Sequence, residues 1–511
     1  MNIIGNEKTF SHFCLFAGGG GLSYGLSKGH ARVGTATARL RCIGGVDSDP
    51  YAVRDFTKLT GTKGTCLDLF DEYDYEKFHG QPPPMFWQKA TAENILAAAN
   101  GECPDILAMS PPCKGFSGLL NKKYAATEKY QAINNLTVRG LMLSLAAFKD
   151  DPPSLIIFEN VPRIKSRGKD FLEVIDSTLR AHGYAVAHTT HDCGELGGLA
   201  QSRKRFLLVA RHTSKVPPFL YEPPKRRLRT IGETLKEEPL PGSHSPMHVV
   251  PRLTRKTWIR LALIEAGKDW RSLKDLNVEA GVLTDYKLEP TPILNPSWDK
   301  SGEAEILRII KRDGNHTTGI NMGDPRPTGS REGNGRYRIT GWNESSGCVL
   351  ARSDTHQGAC EIADPRWPSH INNKKNFANG GHYGVNPWGA ISSTVTGRAK
   401  YDCGKFSIAD PRWMNIQDEM MIISQDETWH RPLTTYELAI LQGFPSDLEL
   451  ATNSHTRWRQ RMGNAVPPPT AAAIGNEMAL TLLLNNLGES YTLNSAPIWV
   501  KKLRRALGAN I

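Results

Sequence analysis

A cysteine, a glutamate and two arginines sit where apolar runs give way to loops, the positions from which a side chain can act on a substrate. Cys113 closes Ser110-Pro111-Pro112-Cys113 and follows the apolar run Ile106 to Met109, which reads as a buried strand. A thiol there stands where open α/β sheets present their chemistry, and as a thiolate it is a nucleophile. Glu159 ends a second run, Leu155-Ile156-Ile157-Phe158, and leads into Asn160-Val161-Pro162. Partial desolvation at a strand mouth raises a carboxyl's proton affinity. In Gln201-Ser202-Arg203-Lys204-Arg205, alternation sends Gln201, Arg203 and Arg205 to one face, and guanidinium groups grip phosphates or carbonyls in planar fashion. Each has a plainer alternative when taken singly: a buried thiol, a surface acid, a solvated basic strand end.

A second set of residues suits a nucleotide-like ligand. The apolar strand Phe13 to Phe16 runs into Gly18-Gly19-Gly20-Gly21 and then into a helix opening at Leu22. Such a turn lets a ligand approach the main chain closely. A second strand, Cys42 to Val46, ends at Asp47, about twenty residues on, the distance at which an acid meets a ribose diol. No Gly-Lys-Ser/Thr follows the glycines, so the run is not a P-loop. Near the other end of the chain, Arg431-Pro432-Leu433-Thr434 opens a helix that stops at Gln442-Gly443-Phe444-Pro445. Gly463-Asn464-Ala465-Val466-Pro467 then precedes an apolar helix from Thr470 to Leu484.

Taken in order, these segments closely resemble the DNA (cytosine-5) methyltransferases of bacteria and phages. The resemblance covers roughly residues 11–212 and 428–485 and rests on Phe-x-Gly-x-Gly, Pro-Cys, Glu-Asn-Val, Gln-x-Arg-x-Arg, Arg-Pro-Leu-Thr…Gln-Gly-Phe-Pro and Gly-Asn-Ala-Val-Pro. It implies methyl transfer from S-adenosylmethionine to carbon 5 of a cytosine flipped out of duplex DNA, as methyltransferases are known to do. Cys113 would add to carbon 6, Glu159 would present a protonated carboxyl to ring N3, Arg205 would contact O2, and Arg203 would set the loop and substrate. For the cofactor, the resemblance implies Phe16, Gly18, Gly20, Asp47, Asp68, Leu69, Pro112, Asn464 and Val466, with Asp47 at the ribose and Asp68 at the adenine amino group; it implies no metal. The sequence departs from the family's usual pattern in four places. Asp47 stands where Glu is usual, Ser48 where an aromatic is frequent, Lys114 where Gln is common, and Ala200 replaces a proline.

Composition narrows the class. The chain has 511 residues, is 39% hydrophobic and carries a net charge of +11; such a balance suits a polyanion partner, here double-stranded DNA. No stretch approaches twenty uncharged apolar residues, so no membrane span is expected, and Met1 to Phe10 lacks a signal-peptide pattern. The nine cysteines include no Cys-x-x-Cys pair, against a disulfide framework or a zinc ribbon. His188, His191 and Cys193 lack a fourth ligand at usual spacing and read as ordinary strand and loop residues. A reducing cytoplasm suits chemistry that needs a free thiol.

Strands at 12–16, 42–46, 64–67, 105–109, 155–158, 184–189 and 206–210 alternate with helices at 21–28, 50–58, 90–99, 131–148 and 170–182. This pattern implies an α/β fold, a parallel sheet with helices on both faces. With the resemblance it becomes a Rossmann-like methyltransferase domain over 1–212, completed by 456–511, and a smaller loop-rich target recognition domain over 213–455. Residues 114–130 match the family's loop that closes over the flipped base. The middle region holds basic clusters, interleaved tryptophans and a recurring Ala-Asp-Pro-Arg-Trp at 363–367 and 409–413. Lys501-Lys502-Leu503-Arg504-Arg505 forms a basic tail. The expected enzyme is a monomer, with a separately encoded restriction endonuclease as a candidate partner. The alternatives are an RNA cytosine-5 methyltransferase, which the long region 213–430 argues against, and a catalytically silent DNA-binding protein, which intact Cys113, Glu159, Arg203 and Arg205 argue against.

Overall fold

The computed structural model describes residues 7–112, 116, 127–218, 220–239, 429–452, 454–488 and 499–500, with short pieces between 241 and 423. Cys113, most of the loop 114–126, nearly all of the Ala-Asp-Pro-Arg-Trp copies and the basic tail lie outside the described residues. The chain groups into two compact units, residues 1–229 with 394–397 and 438–511, and residues 230–393 with 398–437.

In the first unit the chain runs β1 (Glu7–Leu15), α1 (Gly21–Leu26), β2 (His30–Val33), β3 (Ala36–Asp47), α2 (Pro50–Thr60), β4 (Gly64–Cys66), α3 (Glu72–His79), α4 (Ala92–Ala98) and β5 (Ile106–Met109). It continues through α5 (Glu128–Ala147), β6 (Leu155–Asn160), α6 (Ile164–Arg167), α7 (Lys169–Ala181), β7 (Tyr184–Asp192), α8 (Cys193–Gly197) and β8 (Lys204–His212). The eight strands form one sheet in the order β2-β3-β1-β5-β6-β8-β7, with β4 also paired to β3.

The sheet is mixed rather than wholly parallel. Its centre is parallel from β4 through β3, β1 and β5 to β6, whereas β8 runs antiparallel to both β6 and β7. The connection from β7 to β8, residues 193–203, is too short for a parallel crossover, which needs a dozen or more residues. At the other edge β2 and β3 form an antiparallel hairpin with Val33 opposite Ala36. Gly34, at φ 57°, turns the two-residue loop. Sequence reading saw only the end of β3 there, because Gly34-Thr35 is an inconspicuous turn.

Alternation along the strands divides the core in two. Phe13, Leu15, Leu107, Met109, Ile156 and Phe158 point to one side and pack with α3, α4, α5 and α7. Cys14, Ile106, Ala108, Leu155 and Ile157 point to the other and pack with α1, α2 and α8. The second side is closed by a helix from the far end of the chain. Beyond α9 (Ile231–Leu235), α10 (Thr435–Leu441) and α11 (His455–Asn464) comes α12 (Pro468–Asn486). α12 contributes Ala471, Ile474, Met478, Leu482 and Leu483 to that core. It is apolar nearly all round, as a helix surrounded by protein must be.

The second unit holds a six-stranded sheet of the segments Tyr286–Leu294, Glu305–Lys311, Ile422–Ile423, Trp429–Pro432, Ser407–Ala409 and Val385–Pro387, neighbours in that order. The predicted helix after Arg431 is α10. Thr434 and Glu437 cap it reciprocally through Oγ1 and Oε2, and Gly443 follows it at φ 74°.

Candidate active site

β1 is flanked by β3 on one side and β5 on the other, so the order of connection reverses between β1 and β5. The crevice beyond the carboxyl ends of strands at such a switch point is where open sheets bind ligands. A cavity of about 720 Å³ lies there, a size common for small-molecule sites.

The β1 side is built by a strained turn. Phe16 has φ 55° and Gly18 φ 53°; a bulky residue at positive φ is an outlier that surrounding structure must hold in place. The ring of Phe16 rests on Gly140 of α5, where a Cβ would come within 3.1 Å of it. Gly18 N–H donates to Asp47 Oδ2 at 2.8 Å, and Asp49 N–H to Oδ1 at 3.0 Å. Burial raises the Asp47 carboxyl above the usual carboxylate range, opposed by these backbone donors. Asp68 accepts from Phe70 N–H at 3.0 Å and from the Trp87 indole at 3.2 Å. Phe16, Gly18, Asp47, Asp68 and Leu69 all line the cavity. Gly20 does not. At φ 88° it turns the chain into α1, and a Cβ there would come within 3.1 Å of the Phe56 backbone.

The β5–β6 side carries the polar chemistry. Pro112 lines the cavity together with Ser110, Glu159 and Arg205. Arg205 Nε lies 3.0 Å from Glu159 Oε1, and Ser110 Oγ donates to Oε2 at 3.0 Å. The pair is a cross-strand diagonal. Leu207 of β8 is opposite Glu159, and Arg205, two residues along, shares its face. Both side chains are largely buried yet border the cavity.

Arg203 is placed behind the cavity wall. It is fully buried. Its Nη1 donates to the Val395 carbonyl at 2.7 Å and its Nη2 to the Gly463 and Ala465 carbonyls at 2.9 Å. Gln201 works beside it, accepting from Val395 N–H at 3.0 Å and donating to the Leu441 carbonyl at 3.4 Å. The shared face expected for Gln201, Arg203 and Arg205 does not extend this far, because β8 begins only at Lys204. Arg203 instead holds the 463–466 segment, whose Asn464 and Val466 line the cavity, while Gln201 ties down Val395 and Leu441.

Several further wall residues have no role assigned from the sequence. Tyr51 of α2 and Arg457, Gln460 and Arg461 of α11 line the cavity. Arg461 is ion-paired to buried Asp55 and donates to the Ala451 carbonyl at 2.9 Å. None of these positions follows an apolar run, the signal that exposed Cys113, Glu159 and Asp47. Cys113 lies outside the described residues. Cys14, Cys42, Cys66, Cys103 and Cys193 are free thiols, all pushed up by burial, Cys14 and Cys193 to about 12. A thiol so shifted carries little nucleophilic thiolate. Among the described residues no group of His, Cys, Asp and Glu is arranged to hold a metal ion.

The profile of the C-5 cytosine-specific DNA methylases matches residues 10–479. The chain belongs to that family. Over 135 residues it is 30% identical to the Type II methyltransferase M.MspI of Moraxella sp, covering 26% of this chain and 30% of that protein. Over 54 residues it is 52% identical to DNA (cytosine-5)-methyltransferase 1 of Rattus norvegicus, 11% of this chain and 3% of that protein. The chain thus spans less than a third of the length of either relative. A putative DNA modification methyltransferase encoded within an E. coli prophage aligns over 93% of this chain and 99% of its own, at 14% identity and a TM-score of 0.43.

Proposed function

We propose that this C-5 methylase transfers a methyl group from S-adenosylmethionine to carbon 5 of cytosine in a specific double-stranded DNA sequence. One observation carries the reading: a single cavity in a chain of this family is bordered by the strained glycine turn and Asp47 and Asp68 on one side, and by the Glu159–Arg205 pair beside the end of β5 on the other.

The donor set fits the cofactor. Asp47 offers a carboxylate to a ribose diol, Asp68 offers an acceptor to an exocyclic amine, and the open approach at Gly18, where a Cβ would meet nothing within 4 Å, admits a ligand close to the main chain. When bound, S-adenosylmethionine supplies an electrophilic methyl group. Cys113, directly after cavity-lining Pro112, has the nucleophile's role. Its thiolate adds to carbon 6 of a flipped cytosine and makes carbon 5 nucleophilic enough to take that methyl group, with S-adenosylhomocysteine as the leaving group. Glu159 presents its carboxyl to ring N3, where the displaced charge collects, and Arg205 donates to O2. Arg203 keeps the 463–466 wall in register. Loss of the carbon 5 proton to a base, with expulsion of the Cys113 sulfur, restores the ring and frees the thiol.

Domain 1–212 with 456–511 would carry this chemistry, and 213–455 would recognise the target in the major groove. Among the described residues no helix is long and apolar enough to cross a membrane. The test is sequencing of 5-methylcytosine in DNA from a methylation-free host that expresses the chain, with Cys113→Ala as control. Methylation at one recurring short motif, absent from the control, is expected. Methylation that persists in the control would remove Cys113 from its role, and a 5-fluorocytosine duplex should trap only the wild-type chain.

A further inference from the structure

Between Asp68 and Ala90 the chain makes an excursion that the proposed chemistry leaves without a role. It runs through α3 and Pro82-Pro83-Pro84 and returns at Met85-Phe86-Trp87. Its two ends are pinned together from α5. Arg139 Nε donates to the Leu69 carbonyl at 3.0 Å and Nη2 to the Ala90 carbonyl at 2.8 Å. The three bulky apolar residues after the prolines then part company. Met85 and Phe86 are 86% and 89% exposed. Trp87 is turned back instead. Its backbone N–H donates to the Pro84 carbonyl at 2.8 Å, its ring lies 5.3 Å from that of Tyr75 in α3, and its indole N–H reaches Asp68 Oδ2 at 3.2 Å.

Asp68 lines the cavity, whereas Trp87 is absent from the lining and acts only through that carboxylate. The last torsion of an aspartate is soft, so a half-buried carboxylate needs partners to hold its plane. Asp68 has one on each oxygen, Phe70 N–H on Oδ1 at 3.0 Å and the indole on Oδ2. Each carboxylate oxygen can accept two hydrogen bonds, so both keep a lone pair for a ligand donor. A carboxylate fixed from behind on both oxygens meets such a donor in one direction only.

We infer that Trp87 is a positioning residue, which aims Asp68 at the 6-amino group of the cosubstrate's purine and so makes the excursion 69–90 part of ligand selection. This rests on the S-adenosylmethionine reading of the cavity and adds to it the residue that orients its amino-group acceptor.

The experiment is calorimetric titration of the full-length chain and its variants with S-adenosylhomocysteine and with the analogue that carries hydrogen in place of the 6-amino group. A hydrogen bond to a charged acceptor separates the two ligands, so wild type should prefer S-adenosylhomocysteine about tenfold or more. Trp87→Phe keeps a ring against Tyr75 and loses the N–H. It should lower the preference to about threefold or less, through weaker binding of S-adenosylhomocysteine alone. Trp87→His loses the fused ring but places Nε2 where the indole nitrogen stood, and should keep the wild-type preference. An unchanged preference in Trp87→Phe, an equal loss for both ligands, or no rescue by Trp87→His would overturn the positioning role. A wild-type chain that binds the two ligands equally would also overturn it, while leaving the cofactor reading in place. A wild-type chain that binds neither ligand would overturn both.

Discussion

Arg205 and Glu159 meet on the cavity wall, Nε to Oε1 at 3.0 Å, with Ser110 Oγ closing the other carboxylate oxygen at 3.0 Å. The two groups proposed to act on N3 and O2, neighbouring acceptors on one edge of the pyrimidine, are therefore already held together before any base arrives. The arrangement costs no reorganisation of the backbone, since both side chains sit on paired strands of the central sheet. Preorganised charge of this kind is the largest single contribution in many enzymes.

Glu159→Gln keeps the shape and the hydrogen-bonding reach but removes the proton donor. The single-turnover rate of methyl transfer should fall by about a hundredfold or more, with cofactor affinity nearly unchanged. Single-turnover assay beside a calorimetric titration separates the two effects, and an unchanged chemical step would remove Glu159 from proton delivery.

Arg203 makes a different prediction, because its three carbonyl partners lie in segments far along the chain. Arg203→Lys keeps the charge and loses the fork that spans them. Two or more charge-assisted bonds are lost in a buried setting, so a destabilisation of about 2–3 kcal/mol is expected. Cofactor affinity should drop as well, since Asn464 and Val466 share the wall that Arg203 holds. Thermal melts with and without S-adenosylhomocysteine read both quantities. A variant with wild-type melting and binding would show the clamp to be dispensable.

The same residue marks where sequence reading stops. Cys113, Glu159 and Asp47 were legible because each ends an apolar run, and a run that ends in a functional group reads locally. Arg203 reads as part of the same patch as Arg205, yet only Arg205 reaches the cavity. What separates them is where β8 starts and where residues 395, 463 and 465 fold back, neither of which leaves a local trace. The glycines of the first turn behave likewise. Gly18 opens toward the cavity, whereas Gly21, Gly25 and Gly29 face Val466, Pro468 and Gly475. The antiparallel pairing of β7 with β8 was implicit in the short 193–203 connection, and the β2–β3 hairpin in Gly34, but neither interrupts the hydrophobic pattern strongly.

Acid stability should report on His12. The ring is fully buried on β1, with Nε2 3.1 Å from Ser27 Oγ, and burial lowers its pKa to about 3. An unfolded histidine takes its proton near pH 6.5. Between these values only the unfolded chain binds the proton, so stability is full above about pH 6.5 and is lost as pH falls below it. His12→Asn removes this dependence. The stability cost of the substitution should therefore shrink by about 1.4 kcal/mol between pH 7.5 and pH 5.5. Urea unfolding followed at the two pH values measures it, and a cost that stays constant would mean that the ring takes up its proton as readily in the folded chain as in the unfolded one.

Gly25→Ala sets helix propensity against packing. Gly25 lies inside α1, where alanine is the better helix former by about 1 kcal/mol. A Cβ built there would come within 2.3 Å of the Pro468 carbonyl oxygen and 2.5 Å of Ala471 Cβ. Neither atom belongs to a flexible side chain, so α1 and α12 must move apart to admit it. Overpacking of this kind costs about 1–3 kcal/mol, which exceeds the propensity gain. Separation of the two helices would also draw Val466 away from the glycine turn, since Gly21 packs on it so closely that an added Cβ would come within 2.8 Å of the Val466 carbonyl oxygen. The expected outcome is a lower melting temperature together with weaker S-adenosylhomocysteine binding. A raised melting temperature would mean that α1 tolerates the wider spacing, and that the glycines are there for the turn alone.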